Sequence, residues 1–450
     1  MNVIYMHTHD SGRFWSPYGY PIPTPSLSEF ANRASLFRQC YSAAPTCSPS
    51  RAALLTGCTP HENGMTGLAH RGWRIKDYSK HIVQYLGSNG FHTVLAGVQH
   101  EADSWREIGY SEVLGVTGKT QTGLDATSTD LKNAEATVKF LNEYNRKKPL
   151  FLSVGLINTH REYPKHNKDI NPDRISLPYP IPDCYKTRDD MADYYESARI
   201  ADKCFGLVLE AIEKRGYLED SIIIITTDHG IAFPRMKGTL YDTGIGVALL
   251  ISVPDNKLKG ESIDAITSHI DLFPTICDYT NLPVPSWCEG KSLRPIFEGK
   301  TNKIRSELYA ETTYHAAYEP ARCIRTERYK FIRRFDYHTK MVMPNIDKSP
   351  SKEFMKEAGL DKELYDREEL YDLYLDPTEN HNLVGDPRYS EIYSELSQKL
   401  SDWMKNTSDF FPASAPRAPK PRGSKVNILD APDPMPNCML EKEDPSDFTY

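Results

Sequence analysis

The chain has 450 residues and a formal net charge of −7. That length can bury a large core and points to two domains, while the mild acidity excludes general nucleic-acid binding and leaves room for a local basic pocket. Nine cysteines without a CxxC pair or regular spacing argue against a zinc ribbon or a disulfide scaffold and fit a reducing compartment. No apolar run approaches the roughly 18 residues of a membrane span, so no membrane partner is expected. Met1 leads straight into the strand-like Val3-Ile4-Tyr5-Met6 with no signal-peptide pattern. The expectation is a cytoplasmic protein, or a periplasmic or secreted one if a leader was removed.

In chain order, residues 2–6 read as a short apolar strand ending in the polar His7-Thr8-His9-Asp10. Helical patterns follow at 27–34, from Cys47 to Leu55, and at 78–88, the last leading into a strand at 92–96. A long helix is expected at 130–145, a buried strand at 150–156, an amphipathic helix at 189–214, and β-branched strands at 221–227 and 246–253. This alternation predicts an α/β fold, a mostly parallel sheet flanked by helices. Ligands in such folds gather beyond the carboxyl ends of the strands, where His9-Asp10, Asn158–His160 and Asp228-His229 fall. Composition shifts near 283–300. An edge-like strand at 323–333, a turn-rich stretch at 369–383 and an amphipathic helix at 389–406 suggest a smaller C-terminal α+β domain. The expected division is 1–304 for the main domain, 305–410 for the smaller one, and a proline-rich arm or tail over 411–450. Such an arm offers a contact to a second copy of the chain.

The most informative stretch is Cys47-Ser48-Pro49-Ser50-Arg51, followed by Ala52-Ala53-Leu54-Leu55-Thr56-Gly57. It resembles the signature of the type I, formylglycine-dependent sulfatases. Ser221–Gly230 and the run Leu370-Tyr371-Asp372-Leu373 with Asp376-Pro377, Glu379 and Asn382-Leu383 are similar to further landmarks of that family, and the likeness spans roughly residues 2–410. Gly64-Met65, Gly67-Leu68 and the stretch 231–234 are similar to the N-sulfoglucosamine sulfohydrolase (heparan N-sulfatase) branch.

The resemblance implies an alkaline-phosphatase-like fold and hydrolysis of a sulfate group from a sulfated saccharide, with N-sulfated or O-sulfated glucosamine of heparan-type glycans expected. It implies that Cys47 is oxidised to formylglycine by a formylglycine-generating or radical SAM maturase, and that the hydrated aldehyde provides the nucleophile. It further implies a divalent metal, Ca2+ in the family, held by the positions of His9, Asp10, Cys47, Asp228 and His229. His9 departs from the usual carboxylate, adds a nitrogen donor, and brings Mn2+ into consideration. Arg51, one helical turn from Cys47, and Lys237 match the family's sulfate-binding cations. His100 matches the base that helps the sulfated diol collapse, and His160 the acid that protonates the leaving group. Val98 stands where the family carries a lysine before the histidine, which removes one cation. His70, Glu311, His315 and Arg322 are candidate substrate contacts. The rival readings are an O-sulfatase on another sulfated glycan, a phosphonate or phosphodiester hydrolase of the same superfamily, and a catalytically dead glycan-binding protein.

Overall fold

The computed structural model describes residues 1–116, 125–336, 338–411, 417–429 and 440–442. Parts of the arm expected at 411–450 therefore lie outside the described residues.

The main sheet has eight strands in the order Ser262–Ile263, Ser35–Phe37, Leu249–Ser252, Ser221–Thr226, Asn2–His7, Leu150–Gly155, His92–Gly97 and Glu112–Leu114. Every pairing is parallel except the two made by Leu249–Ser252. The β-branched run at 221–226 shows why this sheet is central. Its isoleucines are fully buried and alternate between the two faces, as the two-residue period of a strand requires. Ile222 and Ile224 join Val3 and Tyr5 in a core shared with Leu54, Leu55, Ile82 and Phe273. Ile223 and Ile225 join Ile4 and Met6 in an opposite core with Ala134, Leu141, Phe205 and Val208. The first core is covered by the helices Cys47–Thr56, Ile82–Ser88 and Leu272–Thr280, the second by Ala126–Glu143 and Tyr185–Lys214. Each fully buried isoleucine contributes about 1.5–3 kcal/mol of transfer free energy.

Register decides where the chemistry gathers. His7 pairs with Gly155 on one side and Thr226 on the other, and Gly155 pairs in turn with Gly97. Four adjacent parallel strands thus end level, and the loops carrying His9-Asp10, Val98–His100, Asn158–His160 and Asp228-His229 all leave from one edge. Gly155 is needed there, because a Cβ would sit 2.1 Å from the Val98 carbonyl oxygen and 2.6 Å from the His7 ring.

The smaller unit is a four-stranded antiparallel sheet, Glu307–Tyr314, Tyr318–Thr326, Tyr329–Arg334 and Glu368–Asp372, with the helix Ser390–Asn406 against it through Leu396 and Leu400. The expected single edge strand at 323–333 is instead two strands of a hairpin, and both are inner strands. The expected strand at 246–253 also divides. Gly246–Val247 joins a three-stranded sheet with Cys40–Tyr41 and Thr267–Ser268, while Leu249–Ser252 enters the main sheet. The two units share cores: Tyr41, Leu240 and Ile245 pack with Leu308, Cys323 and Tyr371. The described part of the C-terminal arm lies on its own chain, where the Ala418 carbonyl accepts from the Tyr314 hydroxyl at 2.6 Å and Asn427 pairs with Ala316 and Arg71. Among the described residues no helix is long and apolar enough to cross a membrane.

Candidate active site

The helix Cys47–Thr56 begins at the cysteine itself, with Thr46 extended before it and offering no side-chain cap. Pro49 is tolerated because first-turn amides have no intrahelical acceptor. The unfilled amides and the helix dipole favour an anion at residue 47. The helix ends at Gly57, whose φ of +70° belongs to the left-handed region, and a Cβ there would meet Cys288 Sγ at 2.6 Å. All ten helix residues are buried. Two serines fix its placement: Ser50 Oγ donates to the Asp228 carbonyl at 2.6 Å, and Ser48 Oγ accepts from the Ala69 amide at 3.1 Å.

Cys47 Sγ lies 3.2 Å from His229 Nε2 and 3.8 Å from Asp10 Oδ1. His229 Nδ1 donates to the Gly230 carbonyl at 3.0 Å, which turns Nε2 toward Cys47 and Asp10. Asp10 has φ +45°, a strained value for a residue other than glycine. Its amide donates to Asp228 Oδ1 at 2.8 Å, and its Oδ2 accepts from Lys237 Nζ at 2.8 Å. Arg51 reaches from the next turn. Its Nη2 lies 2.9 Å from Asp228 Oδ2 and donates to the Thr8 carbonyl at 2.9 Å, while Nη1 donates to His7 Nδ1 at 2.5 Å. Two carboxylates and two cations thus interlock around one buried cysteine.

Electrostatics follow from this arrangement. Burial pushes the Cys47 thiol well above its ordinary range, and Asp10 and Asp228 add to it against Lys237. Burial alone would raise Asp228, but His229 and Arg51 outweigh it and hold the carboxylate well below its usual range. Burial opposes the charge of Lys237 also, and Asp10 and Asp347 overcome it and raise the ammonium well above normal. His9 is held well below normal by burial, with Arg51 adding to the effect.

The donor set fits a divalent cation. One donor atom each from His9, Asp10, Cys47 and Asp228 lie within 4.8 Å of one another. In the buried His9 ring Nδ1 lies 3.4 Å from Asp228 Oδ2, while Nε2 lacks a hydrogen-bond partner among the described residues, an arrangement native cores rarely leave unanswered. His229 faces three of the four, lying 3.3 Å from Asp10 and 3.7 Å from Asp228.

The histidines form a rim beside this group. His160 and His100 stand edge-on to His9, with ring centroids 5.5 Å and 5.7 Å away. His70 stacks on His100, its Nδ1 3.1 Å from His100 Nε2. The His160 loop is held by Asp130, which accepts from the Ile157 and Asn158 amides at 2.8 and 2.9 Å. Val98 donates its amide to Gly155 and brings no charge. Gln99 does not take the place of the absent lysine, because its amide group is spent on the backbone of Glu101 and Ala102.

The four candidate substrate contacts separate. His70 sits at the rim, and His315 lies close enough to Lys237 and Asp347 to feel both charges, its pKa pushed down to about 3 chiefly by burial. Glu311 and Arg322 belong to a different buried network, whose partners are His61 and Asp409 rather than the Cys47 group. Sequence reasoning missed Asp347, which lies 2.8 Å from Lys237, and Asp130. Both are lone acids in segments without a motif. It also read His7 as a strand-end polar residue, whereas His7 bonds Arg51.

Comparison with known proteins gives the same picture. A family model described as Sulfatase matches residues 2–282, and one described as N-sulphoglucosamine sulphohydrolase, C-terminal, matches residues 229–364. The human N-sulphoglucosamine sulphohydrolase is 29% identical over 445 residues, covering 86% of each chain. An ulvan-active sulfatase of Formosa agariphila is 28% identical, covering 96% of this chain and 86% of its own. A solved structure in complex with its substrate D-glucosamine-2-N,6-O-disulfate superposes with a TM-score of 0.71 at 20% identity, covering 92% of this chain and 99% of that one.

Proposed function

Because this chain belongs to the sulfatase family, we propose that it removes the sulfate group of N-sulfated glucosamine in heparan-type glycans, with an oxidised residue 47 as its nucleophile. The observation that carries this reading is the seat of Cys47. It occupies the first position of a buried helix, beside Asp10 and His229 and within a nest also built by Arg51, Asp228 and Lys237. The N-sulfate choice is supported by the C-terminal family match and by the name of the human relative.

The formylglycine would supply an oxygen nucleophile, and a divalent ion held by His9, Asp10 and Asp228, with His229 alongside, would supply Lewis acidity. The carboxylates suit Ca2+, and the His9 nitrogen makes Mn2+ the competing ion. The protein's own groups do the rest. Arg51 and Lys237 neutralise the charge spread over the sulfuryl oxygens. His160 gives a proton to the departing group, and His100 takes the proton that must leave residue 47 before sulfate is released. His70, stacked on His100, orients that ring.

A maturase acting on residue 47 is a required partner in this reading. We favour the cytoplasm, in keeping with the free thiols of the eight described cysteines. A desulfation screen over defined heparan fragments, with mass spectrometry of the peptide around residue 47, tests the proposal. Release of sulfate from glucosamine N-sulfate by protein carrying the oxidised residue is the expected result, and activity in protein carrying only the thiol would reject the nucleophile. The second reading, an O-sulfatase on another glycan, is favoured by the ulvan-active relative. Turnover confined to O-sulfates in the same screen would select it.

A further inference from the structure

Lys237 is shared between two carboxylates that differ in one respect. Asp10 is closed to solvent, while Asp347 keeps 25% of its side chain exposed, each lying 2.8 Å from the ammonium. Asp347 is therefore the carboxylate that looks out of the nest toward an arriving ligand. Its other titratable neighbours are His160 and His315, so it stands on the side of the His160 ring.

The surrounding fold holds it there. The short turn Met343–Asn345 is pinned to the smaller sheet: Asn345 Oδ1 accepts from the Ala317 amide at 2.7 Å, and Asn345 Nδ2 donates to Glu319 at 2.8 Å. Lys352 Nζ donates to the Ile346 carbonyl at 2.7 Å. Arg161, next to His160, forks onto both oxygens of Asp190 at 2.7 and 2.8 Å, and the Ser351 hydroxyl donates to the same carboxylate at 2.5 Å. One buried aspartate thus ties the proton-donor loop to the segment that carries Asp347.

A carboxylate in this place is a puzzle for a site that binds anions. It opposes the charge of the lysine expected to hold sulfate, and it repels the substrate. For an O-sulfate nothing offsets that repulsion, because the products are a neutral alcohol and an anion. For an N-sulfate one product is a cation. Hydrolysis runs R–NH–SO3− + H2O → R–NH3+ + SO4(2−): the S–N bond breaks, its electron pair stays on nitrogen, oxygen from water ends on sulfur, and the nitrogen gains two protons, one of them by way of His160. We propose that Asp347 determines specificity for the leaving group by receiving the glucosammonium that forms as the S–N bond breaks. This inference rests on the N-sulfate reading and deepens it.

The matured enzyme and its Asp347→Asn and Asp347→Glu variants would be compared on a glucosamine N-sulfate disaccharide and on 4-nitrophenyl sulfate. Loss of a charge-assisted hydrogen bond predicts that kcat/KM for the N-sulfate falls about 10- to 100-fold more than for the aryl ester, with partial recovery in the glutamate variant. Equal losses on both would make Asp347 a partner of Lys237 alone and overturn the proposal. Binding of the product sugars is the independent arm. The wild type should bind glucosamine about tenfold or more tightly than N-acetylglucosamine, and the preference should fade as pH rises and the amine loses its proton. Equal binding of the two sugars overturns the assignment whether or not the variants fold. A wild type that prefers glucosamine through Asp347 but hydrolyses no N-sulfate would instead reject the substrate reading and keep the ammonium site.

Discussion

Arg51 and Asp228 are joined by an ion pair closed to solvent, with Nη2 2.9 Å from Oδ2 and side-chain exposures of 1% and 0%. The pair links the helix start to a strand end 177 residues away. Burying both charges is costly, and removing one partner leaves the other uncompensated. Arg51→Ala should therefore lower unfolding free energy by about 3–5 kcal/mol as well as abolish turnover, measurable by denaturant titration. Arg51→Lys keeps the charge but cannot reach Asp228, Thr8 and His7 together, so it should recover stability only in part.

Cys47 gives the opposite separation of activity from stability. Its thiol is buried and held in the neutral form, so an unoxidised side chain is a poor nucleophile. Cys47→Ala removes one small group and should cost about 1 kcal/mol of stability while lowering turnover by at least about 10^3-fold. Melting curves beside sulfate-release assays check this. A variant that kept substantial activity would remove residue 47 from the chemistry.

Metal occupancy should show in stability before it shows in rate. A cation bound only by the folded state adds RT ln(1 + [L]/Kd), about 2.7 kcal/mol at 100 times Kd. Chelation should lower the melting temperature, and added Ca2+ or Mn2+ should restore it. His9→Asp, which exchanges the imidazole for a carboxylate, should move the preference toward Ca2+. Elemental analysis of the purified protein and its variant would read the shift directly, and identical metal content in both would place His9 outside the coordination set.

Much of this site was legible in the sequence because its residues fall at the ends of strongly patterned strands. The runs at 2–7, 150–155 and 221–226 announce themselves by burial on both faces, and a parallel sheet brings their ends together. Shorter elements were hidden. Ser35–Phe37 and Cys40–Tyr41 have three and two residues, too few to show a period. The hairpin from Tyr318 to Arg334 turns at Glu327-Arg328, without the glycine or asparagine that marks most tight turns, and so read as one strand. Asp347 was invisible for a different reason. Its role comes from tertiary contacts to Lys237 and through Asn345, and neither leaves a local pattern.

The network set apart from the active site makes the last prediction. His61 Nδ1 lies 2.8 Å from Glu311 Oε2, Arg322 Nε lies 3.0 Å from the same oxygen and 2.6 Å from Asp409 Oδ2, and all four side chains are buried. Lys76 faces it too, donating to the His61 carbonyl at 3.0 Å, while Trp403 and Phe410 close over the ring edge-on. The network joins the segment after the cysteine helix to the smaller sheet and to the chain following its last helix. Burial opposes a charge on His61, but Glu311 overcomes it and raises the imidazole pKa above its ordinary value. A pKa raised on folding means that the folded state holds the proton more tightly than the unfolded one. The stabilisation is complete below the unfolded value of about 6.5 and is lost as pH rises through the folded value. His61→Gln cannot ionise, so the stability difference between wild type and variant should be largest in mild acid and shrink through neutrality into the alkaline range. Burial would raise the Asp409 carboxyl, but Arg322 outweighs it and holds that group below its ordinary range, so Asp409 stays charged through this window while His61 changes charge. Denaturant unfolding of both proteins across that range measures the difference, and a pH-independent gap would mean that the ring is neutral in the folded chain and that Arg322 alone balances the two acids.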